Sequence, residues 1–139
     1  TLHLRMREHS ANGQKVAEHL SKHPMVERVA YPGVASGLPK ERADKYLSNG
    51  CGGLLGFEIK GGHEAGKKFI NSLEMLYHVA NIGDSRSLAI HPASTTHSQL
   101  NAEELASGGI SPGYIRLSIG IEHIDDILAD IDQALVKAE

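Results

Sequence analysis

The chain has 139 residues, with 14 basic against 17 acidic side chains and a formal net charge of −3. That length supports one modest hydrophobic core and excludes two full catalytic domains. The mild acidity gives no reason to expect nucleic acid or an anionic membrane as a partner. The opening stretch 1–22 reads as a helix on Leu4, Met6, Val16, Ala17 and Leu20, with Ser10, Asn12 and Gly13 predicting an interruption and a firm start only near Asn12. Pro24 ends it. A short strand is expected over Val26–Tyr31, closed by Pro32-Gly33, and then a loop to Gly37. Pro39–Ser48 predicts a short helix terminated by Asn49-Gly50.

Leu54–Lys60 alternates as a strand, with Leu55, Phe57 and Ile59 on one face and Gly56, Glu58 and Lys60 on the other. His63–Leu76 has helical spacing at Phe69, Ile70, Leu73 and Leu76. Val79–Ile82 and Ser87–Ile90 are short strand candidates, and Asn101–Ala106 a short helix. Tyr114–Ile119 is the cleanest strand, with Ile115, Leu117 and Ile119 inward and Tyr114, Arg116 and Ser118 outward. His123–Ala138 is the cleanest helix, striped by Ile124, Ile127, Leu128, Ile131, Ala134 and Leu135, with Asp125 and Asp126 at its positive end. This order predicts an α+β fold: a small antiparallel or mixed sheet with helices on one face, forming a single domain over 1–139. The other sheet face is expected to stay uncovered and dock something.

The lone Cys51 excludes an internal disulfide framework and suits a reducing compartment. Trp is absent and aromatics amount to 4%, which argues against a base-stacking platform. No apolar run approaches the roughly 18 residues of a spanning helix, and no leader pattern opens the chain.

Nine histidines invite a metal reading. His19 and His23 share a helical face, but no third ligand stands at diagnostic spacing, so no metal site is assigned. His91 and His97 flank a polar loop and are open to either function or loop hydrogen bonding. Gly61–Lys68 has the spacing of a phosphate loop, yet Lys68 stands where a Mg²⁺-holding hydroxyl belongs, so a glycine turn before a helix is the expectation. Ser94-Thr95-Thr96-His97 has hydroxyls beside a base but no identifiable acidic orienter.

Arg116 is the sharpest single residue. A guanidinium carries a planar fork of donors that matches a carboxylate bidentately, and a strand is a rigid mount for it. The alternative is an arginine paired to a surface acid. Asn81, before the Gly83-Asp84 turn, could add an amide donor to the same ligand.

Three runs carry a resemblance: His78-Val-Ala-Asn-Ile-Gly-Asp84, Ser87-Leu-Ala-Ile-His-Pro-Ala-Ser-Thr-Thr-His97 and Tyr114-Ile-Arg-Leu-Ser-Ile-Gly-Ile-Glu122. With Ser10–Gly33 and Cys51–Glu58, they resemble the C-terminal domain of the pyridoxal-phosphate enzymes of cysteine and methionine metabolism, a fold-type I architecture. The Asn81-Ile-Gly-Asp84 form resembles the sulfhydrylase branch; cystathionine synthases and γ-lyases tend to carry Ser-Leu-Gly-Gly there. The resemblance implies a reaction in which O-acetylhomoserine loses acetate and gains sulfide or a thiol, with the cofactor as electron sink. It also implies that Arg116 binds the substrate carboxylate, that Asn81 lies in the same site, and that Ser94, Thr95, Thr96 and His97 line or support it.

The family's Schiff-base lysine, phosphate-binding residues and ring-stacking tyrosine belong to an upstream cofactor domain. No catalytic or cofactor-binding residue is therefore expected in this chain, and alone it is expected to be inactive. As part of an intact enzyme it is expected to be cytoplasmic and homotetrameric, with residues 1–22 as an interdomain helix.

Overall fold

The structure, a computed structural model, describes residues 1–99, 101–108 and 110–139. Among the described residues, five helices and five strands follow in the order the sequence predicts: α1 (Leu2–Leu20), β1 (Val26–Ala30), α2 (Gly37–Tyr46), β2 (Leu54–Ile59), α3 (Gly62–Ser72), β3 (Tyr77–His78), β4 (Leu88–Ile90), α4 (Ala102–Ser107), β5 (Tyr114–Ser118) and α5 (Ile124–Ala138). Short 3₁₀ turns at Pro32–Val34 and Pro92–Ser94 follow β1 and β4. The strands form one mixed sheet in the order β1-β2-β5-β4-β3, antiparallel except for the β3–β4 pair.

The inward residues meet in register: Val29 opposite Phe57, Phe57 opposite Ile115, Leu55 opposite Leu117, and Leu117 opposite Ala89. Helices α1, α3 and α5 cover this face. Their Val16, Leu20, Phe69, Ile127, Ile131 and Leu135 are fully or almost fully buried with it. Phe57 and Phe69 pack edge to face at 5.4 Å, the arrangement that ring quadrupoles favour.

Four expectations about the elements are corrected, and a fifth about the outer sheet face. First, α1 runs unbroken through Ser10, Asn12 and Gly13. Asn12 is 1% exposed, and its Nδ2 donates to the carbonyls of Gly120 and Glu122 at 3.2 and 3.0 Å. A Cβ on Gly13 would lie 2.6 Å from the Gly52 carbonyl. These residues mark where α1 is closely approached, and the helix continues because tertiary bonds replace what propensity withholds.

Second, α3 stops at Ser72 and not at Leu76. Buried Asp130 on α5 accepts the main-chain N–H groups of Glu74, Met75 and Leu76, each at 2.9 Å. Those donors are thereby satisfied outside a helix.

Third, 79–82 forms no strand; β3 is the preceding pair Tyr77–His78. Fourth, α2 begins at Gly37, two residues before the proline assigned as its start.

The outer sheet face is not bare. Leu88 and Ile90 stand on it opposite Ser118 and Arg116, and both are buried. Arg28 and Glu58 pair across it at 3.5 Å.

Candidate functional site

Arg116 sits in the middle of β5, between Gly56 of β2 and Ile90 of β4. Alternation puts its side chain on the outer face, because Ile115 and Leu117 are both fully buried inward. It is half-buried. None of the ion pairs among the described residues involves it. Its Nη2 donates to the main-chain carbonyl of Asn81 at 3.3 Å, a neutral acceptor that leaves the positive charge unneutralised. The alternative reading of Arg116, a partner for a surface acid, therefore finds no acid in contact.

Asn81 is brought to Arg116, but through its backbone. Its Oδ1 accepts the N–H of Ile82 at 2.9 Å, so the amide oxygen is engaged in its own turn.

The segment from Asn81 to Ser87 runs beside β5 and its continuation, held at alternate positions. Arg116 holds the Asn81 carbonyl. Ser118 Oγ accepts the N–H of Gly83 at 3.3 Å. Ser85 accepts the N–H of Ile121 at 2.9 Å. The Glu122 carboxylate accepts both the N–H and the hydroxyl of Ser87, at 2.6 and 2.9 Å. Gly83 takes φ +75°, a left-handed turn that glycine makes without strain. Further along, Arg86 stacks over the Tyr77 ring at 4.5 Å.

His91 is fully buried. Its Nε2–H donates to the Pro112 carbonyl at 2.6 Å, and Nδ1 accepts the Ser94 hydroxyl at 2.8 Å. Burial pushes its pKa down, the Pro112 bond opposes this, and the neighbouring His63, His78 and Lys67 add to the lowering. A neutral imidazole with both nitrogens engaged anchors the loop that follows β4. Thr95 Oγ1 donates to the His91 carbonyl at 2.8 Å. Thr96 and His97 contact each other at 2.8 Å. Ser94 and Thr95 are thus tied to loop geometry around His91.

The other motifs lie elsewhere. His19, in the last turn of α1, pairs with Asp132 in the middle of α5 at 2.6 Å. Helix α3 begins at Gly62, so Gly62–Gly66 are helical and cannot wrap a phosphate as a loop; Lys67 reaches Glu64 at 3.7 Å. All eight lysines are solvent-exposed. A lysine that carries an aldehyde cofactor has to lose its proton, which burial favours and open solvent does not.

Sequence reasoning missed Glu122, Ser87, Asn12 and Asp130. Their one signal was polarity at positions that helix or strand periodicity leaves without a partner.

An outward arginine on a rigid strand, facing no acid among the described residues, leaves a positive fork of N–H donors open on the outer face of this α+β fold. Residues 1–136 match the family described as Cys/Met metabolism PLP-dependent enzyme, and the chain belongs to that family. It is 56% identical over 136 residues to the O-acetyl-L-homoserine sulfhydrylase of Leptospira meyeri, which covers 97% of this chain and 31% of that protein. Its identity to O-acetyl-L-homoserine sulfhydrylase 1 of Thermus thermophilus is 48%, over 97% of this chain and 32% of that protein. Its identity to the L-methionine gamma-lyase of Pseudomonas putida is 49%, over 97% of this chain and 34% of that protein.

A Campylobacter jejuni protein crystallised with N'-pyridoxyl-lysine-5'-monophosphate superposes with a TM-score of 0.87 at 46% identity, over 96% of this chain and 32% of that one. The chain therefore spans about a third of the length of the relatives it matches. Its own residues fit a carboxylate. They do not fit the covalent anchorage of pyridoxal phosphate, because no lysine is buried.

Proposed function

We propose that this chain is the substrate-gripping, C-terminal part of a pyridoxal-phosphate-dependent enzyme that replaces the acetyl group of O-acetyl-L-homoserine by sulfide or a thiol, giving homocysteine or its S-alkyl form. The observation that carries the reading is Arg116, half-buried on the outer sheet face with a guanidinium free of carboxylate partners. A substrate carboxylate gripped there is fixed relative to a rigid strand, and its Cα–H bond is oriented for removal; this is a positioning role. Asn81 contributes through its main chain, and Ser94, Thr95, Thr96 and His97 support the neighbouring loop. The cofactor would be held by an upstream domain of the same polypeptide, with α1 as the interdomain helix, in a cytoplasmic homo-oligomer, a tetramer in the fullest form of the reading.

A second reading, γ-elimination from methionine or cystathionine, rests on the 49% identity to an L-methionine gamma-lyase. The full-length polypeptide carrying this chain separates the two. Homocysteine formed from O-acetylhomoserine and sulfide, faster than 2-oxobutanoate from methionine, supports replacement; the reverse order supports elimination. Neither activity would reject both.

A further inference from the structure

We propose that Glu122 is a positioning residue for the substrate carboxylate, acting through the 81–87 segment; the inference rests on the reading of Arg116 above. The contacts that hold this segment are short at its Ser87 end and long at its Asn81 end, with the Ser85 carbonyl taking the Ile121 N–H at 2.9 Å between them. At its far end the Glu122 carboxylate takes the Ser87 N–H at 2.6 Å and the Ser87 hydroxyl at 2.9 Å, and Ser87 Oγ in turn accepts the Gly120 N–H at 2.9 Å. At the near end, the Gly83–Ser118 and Asn81–Arg116 contacts are both long, at 3.3 Å. Short bonds fix position, and long ones follow it, even where the donor is the charged Arg116 guanidinium.

Glu122 is itself fixed. Asn12 of α1 holds its carbonyl at 3.0 Å, and a Cβ on Gly120 would collide with the carboxylate and with the Ser85 carbonyl. None of the ion pairs among the described residues includes Glu122. Its charge is directed at neutral donors of the segment. Glu122, together with the Ser85–Ile121 bond beside it, therefore sets the height at which Asn81 meets Arg116, and with it the open part of the guanidinium fork.

The test uses the full-length, cofactor-loaded polypeptide and two probes, L-norvaline and butylamine, which differ only by the carboxylate. The wild type is expected to bind the acid more tightly. Glu122→Ala is expected to weaken the acid about tenfold and leave the amine unchanged, with faster hydrogen exchange across 81–83. Glu122→Gln keeps an oxygen for the Ser87 N–H and is expected to restore most of the preference. Equal weakening of both probes, or no change in either, overturns the proposal. If Glu122→Ala does not fold, Ser87→Ala, which removes only the hydroxyl, carries the same comparison. A wild type that binds acid and amine equally sinks the Arg116 reading and this inference together. A preference that survives Glu122→Ala sinks the role of Glu122 alone.

Discussion

Arg116 holds the main-chain carbonyl of Asn81 at 3.3 Å, while the Asn81 side chain turns back onto the N–H of Ile82. Only part of the guanidinium is used by that contact, and the remaining N–H groups are available to an incoming anion. On the proposed reading, Arg116→Ala in the full-length enzyme would remove a charge-assisted bidentate grip worth about 2–4 kcal/mol, and kcat/KM for the amino-acid substrate is expected to fall roughly 30- to 1,000-fold. Far-ultraviolet circular dichroism and the melting temperature are expected to change little, because the side chain lies outside the core. Unchanged efficiency would remove Arg116 from the site.

Asn81 gives a contrasting expectation. Its carbonyl, not its amide, meets Arg116, so Asn81→Ala leaves that contact in place and removes only the Oδ1 bond to Ile82. The loss in kcat/KM is expected to stay below about tenfold, well short of the Arg116→Ala effect. A loss as large as that of Arg116→Ala would instead assign the side chain a direct contact with substrate.

Gly13 separates intrinsic propensity from packing. In a helix, Ala is better than Gly by about 0.8–1.0 kcal/mol, so sequence alone favours Gly13→Ala. In the fold, the new methyl would lie 2.6 Å from the Gly52 carbonyl and 3.2 Å from the Gly53 Cα. Overpacking of that kind costs about 1–3 kcal/mol, and both neighbours are backbone. Chemical denaturation is expected to show a net loss of about 1 kcal/mol; a gain would mean that the β2 approach yields readily.

The same contrast explains what was legible in the sequence. Strand β5 and helix α5 were readable because their apolar residues repeat at 2 and 3.6 with few exceptions. Arg116 was readable because alternation alone places it opposite Ile115 and Leu117. The break assigned at Asn12 and the overlong α3 fail for one reason: a hydrogen bond to a group more than 50 residues away decides the local backbone. Asn12 is held by 120 and 122, and 74–76 by Asp130. No window of neighbouring residues contains those partners. The outer face was misread as uncovered for the same reason, since the 81–87 segment lies along β5 through contacts that leave no periodicity.

His91 is expected to set one edge of the pH range for stability. Burial holds its folded pKa below the ordinary value. The unfolded chain therefore takes up a proton before the folded one does. Stability is full above the unfolded value, about 6.5, and declines as pH falls below it toward the folded value. Denaturant midpoints measured through that range are expected to drop with acidification in the wild type. In His91→Asn, less stable throughout, the slope over the same range is expected to be shallower.

Asp130 acts at a lower edge, and its sign follows from competing causes. Burial pushes its pKa up, but the N–H groups of Leu76, Glu74 and Met75 and the amide of Gln133 outweigh that, and the net direction is down. A depressed carboxyl contributes stability above the unfolded pKa of about 4, and that contribution is lost as pH falls through the lower folded value. Asp130→Ala strands three main-chain donors where the 73–76 segment meets α5, at an expected cost of about 2–4 kcal/mol near neutral pH. Asp130→Asn, which presents an amide N–H₂ where an acceptor is needed, is expected to lose a similar amount. The difference between either variant and the wild type should shrink on acidification below pH about 4, because protonation disables the same acceptor in the wild type. A difference that stays constant from neutral to acid pH would show that the carboxylate charge at 130 contributes nothing, and that packing alone holds the turn.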